Sequence, residues 1–136
     1  DDIYKKYSYH NELQVSINLK GESGLRMIQK IMDVVRNAAG RFTANVPAVY
    51  TDIQTSEITK YNADGSIASK EKSTLPSSNV LTFDYGDRWF CLRPSGTEPK
   101  IKIYFGGIAD NLDTAHDKAI KLKEEVVGKI MPIIKK

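Results

Sequence analysis

Two segments of alternating residues, Trp89 to Arg93 and Lys100 to Phe105, are separated only by the short connection from Pro94 to Pro99. Alternation with a period of two marks half-buried strands. The chain therefore contains two strands whose ends flank one brief, proline-bounded loop. Alternation also assigns faces. Trp89, Cys91 and Arg93 share one side of the first strand, and Phe90 and Leu92 share the other. Phe90 and Leu92 are expected to face the core, which leaves Arg93 to reach toward solvent. In the second strand Ile101, Ile103 and Phe105 fall on one side. Strand ends are rigid compared with a free loop, so residues placed there are held in position.

The remaining pattern alternates between strand and helix signals. Leu13 to Leu19 alternates, and Gly21 breaks it. A helix is predicted from about Gly24 to Asn37, with Leu25, Ile28, Met32 and Val35 on its apolar face. Ser23 is the expected N-cap, and Ala38-Ala39-Gly40 is the expected stop. Val46 to about Tyr61 reads as strand from its Val, Ile, Thr and Tyr content. Asn62 to Ser66 is a turn, and Ile67 to Lys72 pairs back as the second arm of a hairpin. Leu75 to Asn79 is a loop. Val80 to Tyr85 is a further strand, closed by a turn at Gly86-Asp87, and Gly106-Gly107 is expected to end the strand begun at Lys100. A last helix runs from about Leu112 to Ile130. Its apolar stripe is Leu112, Ala115, Ala119, Leu122, Val126 and Ile130, with Asp110 or Asn111 as cap and Pro132 fraying or ending it. Strands interrupted by one helix and closed by a second give an α+β fold, an antiparallel sheet of about four to six strands with two helices packed on one face.

Size and charge narrow the functional classes. A length of 136 residues fits a single domain covering 1–136. No apolar stretch is long enough to span a bilayer, and no positively charged leader followed by an apolar segment is visible. One cysteine, Cys91, excludes an intramolecular disulfide and suits a reducing, cytoplasmic setting. The net charge of +3 falls short of the basic footprint of nucleic-acid binders. Lys70 with Lys72, and Lys135 with Lys136, read as solvated surface. Aromatic residues on strands among lysines could mimic a base-stacking platform, but no RNP-like motif is present, and they are better explained as core or sheet surface.

The connecting run Arg93-Pro94-Ser95-Gly96-Thr97-Glu98-Pro99-Lys100 concentrates donors. A phosphate dianion offers oxygens and no protons, so it needs several donors converging on it. Arginine supplies a planar fork that can bond two oxygens at once. Ser95 and Thr97 add hydroxyls, and Gly96 lets the backbone approach and aim its N–H groups, as in a nest. The bland alternative is a hairpin turn in which Arg93 pairs with Glu98.

This run resembles the phosphate-binding loop in the C-terminal domain of the alpha-D-phosphohexomutases, the family of phosphoglucomutase and phosphomannomutase. Leu75-Pro76-Ser77-Ser78-Asn79-Val80-Leu81 and Trp89 to Lys102 look like the phosphoglucomutase branch found in Firmicutes-type bacteria. So does the opening segment with Leu19-Lys20-Gly21, Gly24 and Ile31-Met32. The resemblance implies a TATA-binding-protein-like domain in which Arg93, Ser95, Gly96 and Thr97 hold the substrate phosphate that is not transferred. Glu98 then orients Arg93 or Lys100, and Lys100 adds positive charge or lies on the solvent side of its strand. It further implies a phosphosugar substrate, a hexose 1-phosphate and hexose 6-phosphate with glucose or mannose as the sugar, and other domains of a longer chain as partners. The family's phosphoserine loop and magnesium loop do not occur in this sequence. Catalytic and metal-binding residues are therefore expected elsewhere, and this piece alone is expected to be inactive. A free-standing phosphosugar sensor is the alternative from another class.

Other signals are discounted. Gly21-Glu22-Ser23-Gly24 is one residue short of the family's sugar-reading Gly-Glu-x-Ser-Gly loop, which belongs to the preceding domain, and it reads as capping and turning. His10 and His116 lack metal-type neighbours at suitable spacing. Cys91 has no catalytic histidine pattern beside it, and Asp84 and Asp87 bracket a turn.

Overall fold

The computed structural model describes residues 9–74, 77–95 and 97–135. Among them, seven strands form one sheet: β1 (Tyr9–Asn18), β2 (Val49–Asp52), β3 (Glu57–Tyr61), β4 (Ile67–Lys72), β5 (Leu81–Asp84), β6 (Arg88–Pro94) and β7 (Lys100–Ala109). Every neighbouring pair is antiparallel, in the order β1-β7-β6-β5-β2-β3-β4. Helices α1 (Gly21–Asn37) and α2 (Leu112–Lys135) pack into one core on the sheet. The α+β class stands, with seven strands where four to six were expected. The extra strand comes from Val46 to Tyr61, which is two strands and not one. The Asp52 carboxylate accepts the N–H groups of Gln54 (3.0 Å) and Thr55 (3.4 Å), and Ser56 takes φ 62°. Local side-chain bonding to the backbone thus overrides the strand preference of Ile53 and Thr55.

The core follows the predicted alternation where it matters for the loop. Phe90 and Leu92 of β6 and Ile101, Ile103 and Phe105 of β7 are all fully buried. Phe83 and Phe90 are cross-strand partners and stack at 4.4 Å between ring centroids with planes 6° apart. Phe105, opposite Phe90 in the next ladder, extends the row at 6.1 Å. Such aromatic pairs add about 0.5–1.5 kcal/mol beyond their area burial, so they pin the register that aligns the ends of β6 and β7.

From α1 the sheet receives Ile28, Ile31, Met32 and Val35, and from α2 it receives Ala115, Ala119, Leu122, Val126 and Ile130. Two expected stripe residues are instead exposed: Leu25 at 40% and Leu112 at 53%. Both lie in the first turn or two of their helices. Gly106 and Gly107 do not end β7, which continues to Ala109. A Cβ at Gly106 would lie 2.1 Å from Trp89 Nε1, and one at Gly107 would lie 2.1 Å from the Ala115 carbonyl oxygen. These glycines serve close packing rather than termination.

The helix ends also differ in part. The cap of α1 is Lys20 in extended conformation without a side-chain cap bond, and Ser23 lies in the first turn, donating to the Lys20 carbonyl at 3.4 Å. Gly21, with φ 66°, makes the earlier entry possible. The Asn111 cap is borne out, since its side-chain oxygen accepts the Thr114 N–H at 2.8 Å. Helix α2 runs through Pro132 to Lys135. A proline there forfeits one bond to the carbonyl four residues back, which belongs to Gly128, and the last turn tolerates the loss.

Candidate functional site

The end of β6 and the start of β7 bring the loop residues together on the sheet face that the helices leave uncovered. Arg93 stands opposite Lys102, and Cys91 opposite Tyr104. Arg93 is exposed, and among the described residues its guanidinium takes part in none of the ion pairs. The hairpin alternative, Arg93 paired with Glu98, is not what forms. Glu98 instead lies 3.7 Å from Lys100 Nζ, in a half-open pair.

The connection is closed by its own backbone. The Ser95 N–H donates to the Lys100 carbonyl at 2.9 Å, and the Lys100 N–H donates to the Glu98 carbonyl at 2.7 Å. The Glu98 N–H donates to Ser95 Oγ at 3.3 Å. From outside the loop, the Leu19 N–H donates to the Pro99 carbonyl at 2.7 Å, tying the loop to the end of β1. Gly24 completes the tie, since a Cβ there would lie 2.8 Å from Pro99 Cβ. The segment Gly21 to Gly24 is thus a structural junction, as its sequence suggests, and it also buttresses the loop.

The turn bonds change the expected donor set. The amides of Ser95 and Glu98 are already engaged, so a nest cannot draw on them. Ser95 Oγ accepts one bond and keeps its own proton to donate. Gly96 lies outside the described residues. Thr97, within the loop, is exposed. Among the described residues the donors on offer are therefore chiefly side chains.

Arg93, Ser95, Glu98, Lys100 and Lys102 line one open cleft of about 320 Å³ with Pro94 and Tyr104. Three cations face one carboxylate there, so the cleft has a positive balance suited to an anion. Lys102 is absent from the sequence-derived site. Its signal was present in the alternation that buries Ile101 and Ile103, because the same period puts Lys100 and Lys102 together on the opposite face. A larger adjoining cleft of about 880 Å³ shares Arg93, Ser95, Glu98 and Tyr104, and extends over Cys91 and Trp89 to Asn79 and the exposed Leu25.

Cys91, Asp84 and Asp87, discounted from the sequence, are accounted for structurally. Burial pushes the Cys91 thiol up, with the Arg93 guanidinium working against it, so the thiol is not primed as a thiolate. Asp84 accepts the Gly86 N–H at 2.8 Å within the turn. Asp87 pairs with Arg88 at 3.2 Å and Lys118 at 3.1 Å. His116 is half-buried on α2. Phe83, Phe90 and Phe105 are core residues, so they form no part of an aromatic surface for nucleic-acid stacking. Among the described residues no group of three or more His, Cys, Asp or Glu could hold a metal ion, and no helix is long and apolar enough to cross a membrane.

Comparison with known proteins gives consistent matches. Residues 17–120 match the family model described as phosphoglucomutase/phosphomannomutase, C-terminal domain. A phosphoglucomutase of Staphylococcus saprophyticus is 32% identical over 114 residues, which is 83% of this chain and 20% of that protein. A phosphoglucomutase of Staphylococcus aureus (strain USA300) is 33% identical over 119 residues, 87% of this chain and 21% of that protein. One from Staphylococcus haemolyticus is 26% identical over 112 residues, 82% of this chain and 20% of that protein. The chain spans about a fifth of the length of the curated relatives it matches.

Proposed function

The chain belongs to the phosphoglucomutase/phosphomannomutase family, as its C-terminal domain, and on that premise we propose that the β6–β7 loop holds a phosphosugar by its phosphate. The wider role is that of the substrate-phosphate-binding part of a mutase that interconverts hexose 1-phosphate and hexose 6-phosphate, with glucose as the sugar. The relatives' name, phosphoglucomutase, supports the choice of glucose. The observation that carries the proposal is the exposed Arg93 guanidinium, standing opposite Lys102 in a cleft shared with Lys100 and the Ser95 hydroxyl.

Such a site acts by binding and orientation. Arg93 grips two phosphate oxygens, Ser95, Thr97 and the lysines add single donors, and Glu98 restrains Lys100. Holding the phosphate that does not react fixes the far end of the sugar. The reacting oxygen is then held in line, and binding energy gained at a distance lowers the barrier at the reacting centre. Movement of this domain toward the rest of a longer chain would close the cleft and exclude water that could otherwise take the phosphoryl group. In this reading the phosphoserine and Mg²⁺ of the reaction belong to that remainder, in a cytoplasmic enzyme. Mg²⁺ would neutralise charge on the transferred phosphoryl group.

The test is an NMR titration of the 136-residue chain with inorganic phosphate and with glucose 1-phosphate. Weak, saturable shifts centred on residues 93 to 102 are expected for both ligands. Shifts centred elsewhere, or none, would overturn the assignment of the loop.

A further inference from the structure

The two clefts beside the loop meet at Tyr104, which lines both. In the ladder Tyr104 faces Cys91, one side-chain step along the same face from the Arg93–Lys102 pair. Side chains on one face of a strand repeat about every 7 Å. That is the scale of the step from a phosphate to the ring of the hexose that carries it on an exocyclic oxygen. An anion seated between Arg93 and Lys102 therefore has its organic part directed either into solvent or over Tyr104.

The chemistry beyond Tyr104 favours the second course. The larger cleft is lined by Tyr104, Cys91 and Trp89, by apolar side chains that include Leu25 and Val80, and by the polar Asn79 and Thr82. Trp89 is fixed in place, because its indole lies so close over Gly106 that no side chain fits beneath it. A pyranose has the complementary character: C–H faces that are apolar and hydroxyls around its edge. A cleft for phosphate alone would need only the cationic end.

We infer that the Tyr104 ring is the contact surface for the sugar of the phosphosugar whose phosphate is held at Arg93 and Lys102, and so a specificity-determining residue of that site. The inference rests on the phosphate site proposed above and adds a sugar subsite in the adjoining cleft. It makes this domain a reader of the sugar as well as of the phosphate.

The experiment compares dissociation constants for inorganic phosphate and glucose 1-phosphate on the full 136-residue chain and on Tyr104→Ala and Tyr104→Phe. The unaltered chain is expected to prefer the sugar phosphate. Tyr104→Ala should lose that preference, by roughly three- to tenfold for an apolar contact of ring size, because it weakens glucose 1-phosphate more than inorganic phosphate. Tyr104→Phe should keep it. Should the alanine variant not fold, Tyr104→Ser, which removes the same ring contact, should give the same loss of preference. Equal affinity of the unaltered chain for the two ligands, or an equal weakening of both by Tyr104→Ala, would overturn the sugar subsite and leave the phosphate site standing. Failure of the unaltered chain to bind either ligand would overturn both.

Discussion

Arg93 and Lys102 face each other directly across the β6–β7 ladder, two like charges on adjacent antiparallel strands. Among the described residues neither is in an ion pair, and the nearby Glu98 is drawn to Lys100 instead. Like charges in that position weaken a sheet, by roughly 0.2–1 kcal/mol. An anion between them reverses the sign. The arrangement predicts opposite effects with and without ligand. Lys102→Met should raise the Tm of the ligand-free chain slightly. In the unaltered chain, phosphate at a hundredfold excess over its Kd should add about 2.7 kcal/mol of stability, and Lys102→Met should abolish most of that gain. Thermal melts with and without phosphate read both effects. An undiminished phosphate effect in the variant would remove Lys102 from the site.

Gly107 is where α2 crosses β7 most closely, with the Ala115 carbonyl oxygen 2.1 Å from the place of a Cβ and Ala119 N at 3.1 Å. Both obstacles are helix backbone, which cannot step aside as a flexible side chain can. Gly107→Ala should therefore destabilise by about 1–3 kcal/mol, the usual cost of overpacking, and displace the start of α2. Gly128→Ala is the control, since nothing lies within 4 Å of a Cβ there. It should be neutral or stabilising, because alanine favours the helix by up to about 1 kcal/mol over glycine. Urea unfolding of the two variants makes the comparison.

Much of this was legible in the sequence because it depends on residues near one another. Alternation in Trp89–Arg93 and Lys100–Phe105 gave the buried face and the exposed Arg93. Asn111 announced a cap that needs only the residue three positions on. The misses depend on distant partners. Gly106 and Gly107 look like terminators until Trp89 and Ala115 are brought against them, and Leu25 looks like core until it is found lining a cleft. Lys102 was missed differently. Its face was readable, but its role depends on standing opposite Arg93, and that register is fixed by the phenylalanine row in the core. Within the loop, the Ser95 amide is spent on closing the turn.

Asp87 should give the stability a pH dependence at the acid end. Hydrogen bonds from Arg88 hold its carboxyl below the usual carboxylate range; burial pushes the other way, and Lys118 adds to the lowering. A carboxyl lowered in the folded state stabilises above its unfolded value, about 3.9. That contribution is lost as pH falls through the lower folded value. The site is half exposed, so screening keeps the contribution under about 1 kcal/mol. Asp87→Asn should then be destabilising by a constant amount from pH 8 to 5. The gap to the unaltered chain should shrink below pH 4, and added salt should shrink it at any pH. A gap that widened on acidification would contradict the sign. Urea midpoints at four or five pH values suffice.

Asp52 ties the helix layer to the wall of the larger cleft. It is 4% exposed and accepts Arg36 Nε at 2.7 Å, while the other arm of the same guanidinium donates to Asn79 Oδ1 at 2.7 Å. Asn79 lines the cleft, so α1, β2 and the segment before β5 are held by one arginine. The Arg36 side chain is only 20% exposed, and deleting Asp52 leaves its charge poorly compensated. Asp52→Ala should cost about 2–4 kcal/mol, below the full penalty for breaking a buried pair because Arg36 retains some water and the more exposed Asp33. Arg36→Leu combined with Asp52→Ala should cost less than the two single changes added together, since the second removes a charge that the first has already stranded. A double-mutant cycle in urea measures the coupling. Additive costs would mean that the contact contributes nothing beyond its separate parts. A second readout follows from geometry. Arg36→Leu frees Asn79, so the cross-peaks of residues 77 to 80 should shift or broaden while those of residues 93 to 102 stay in place.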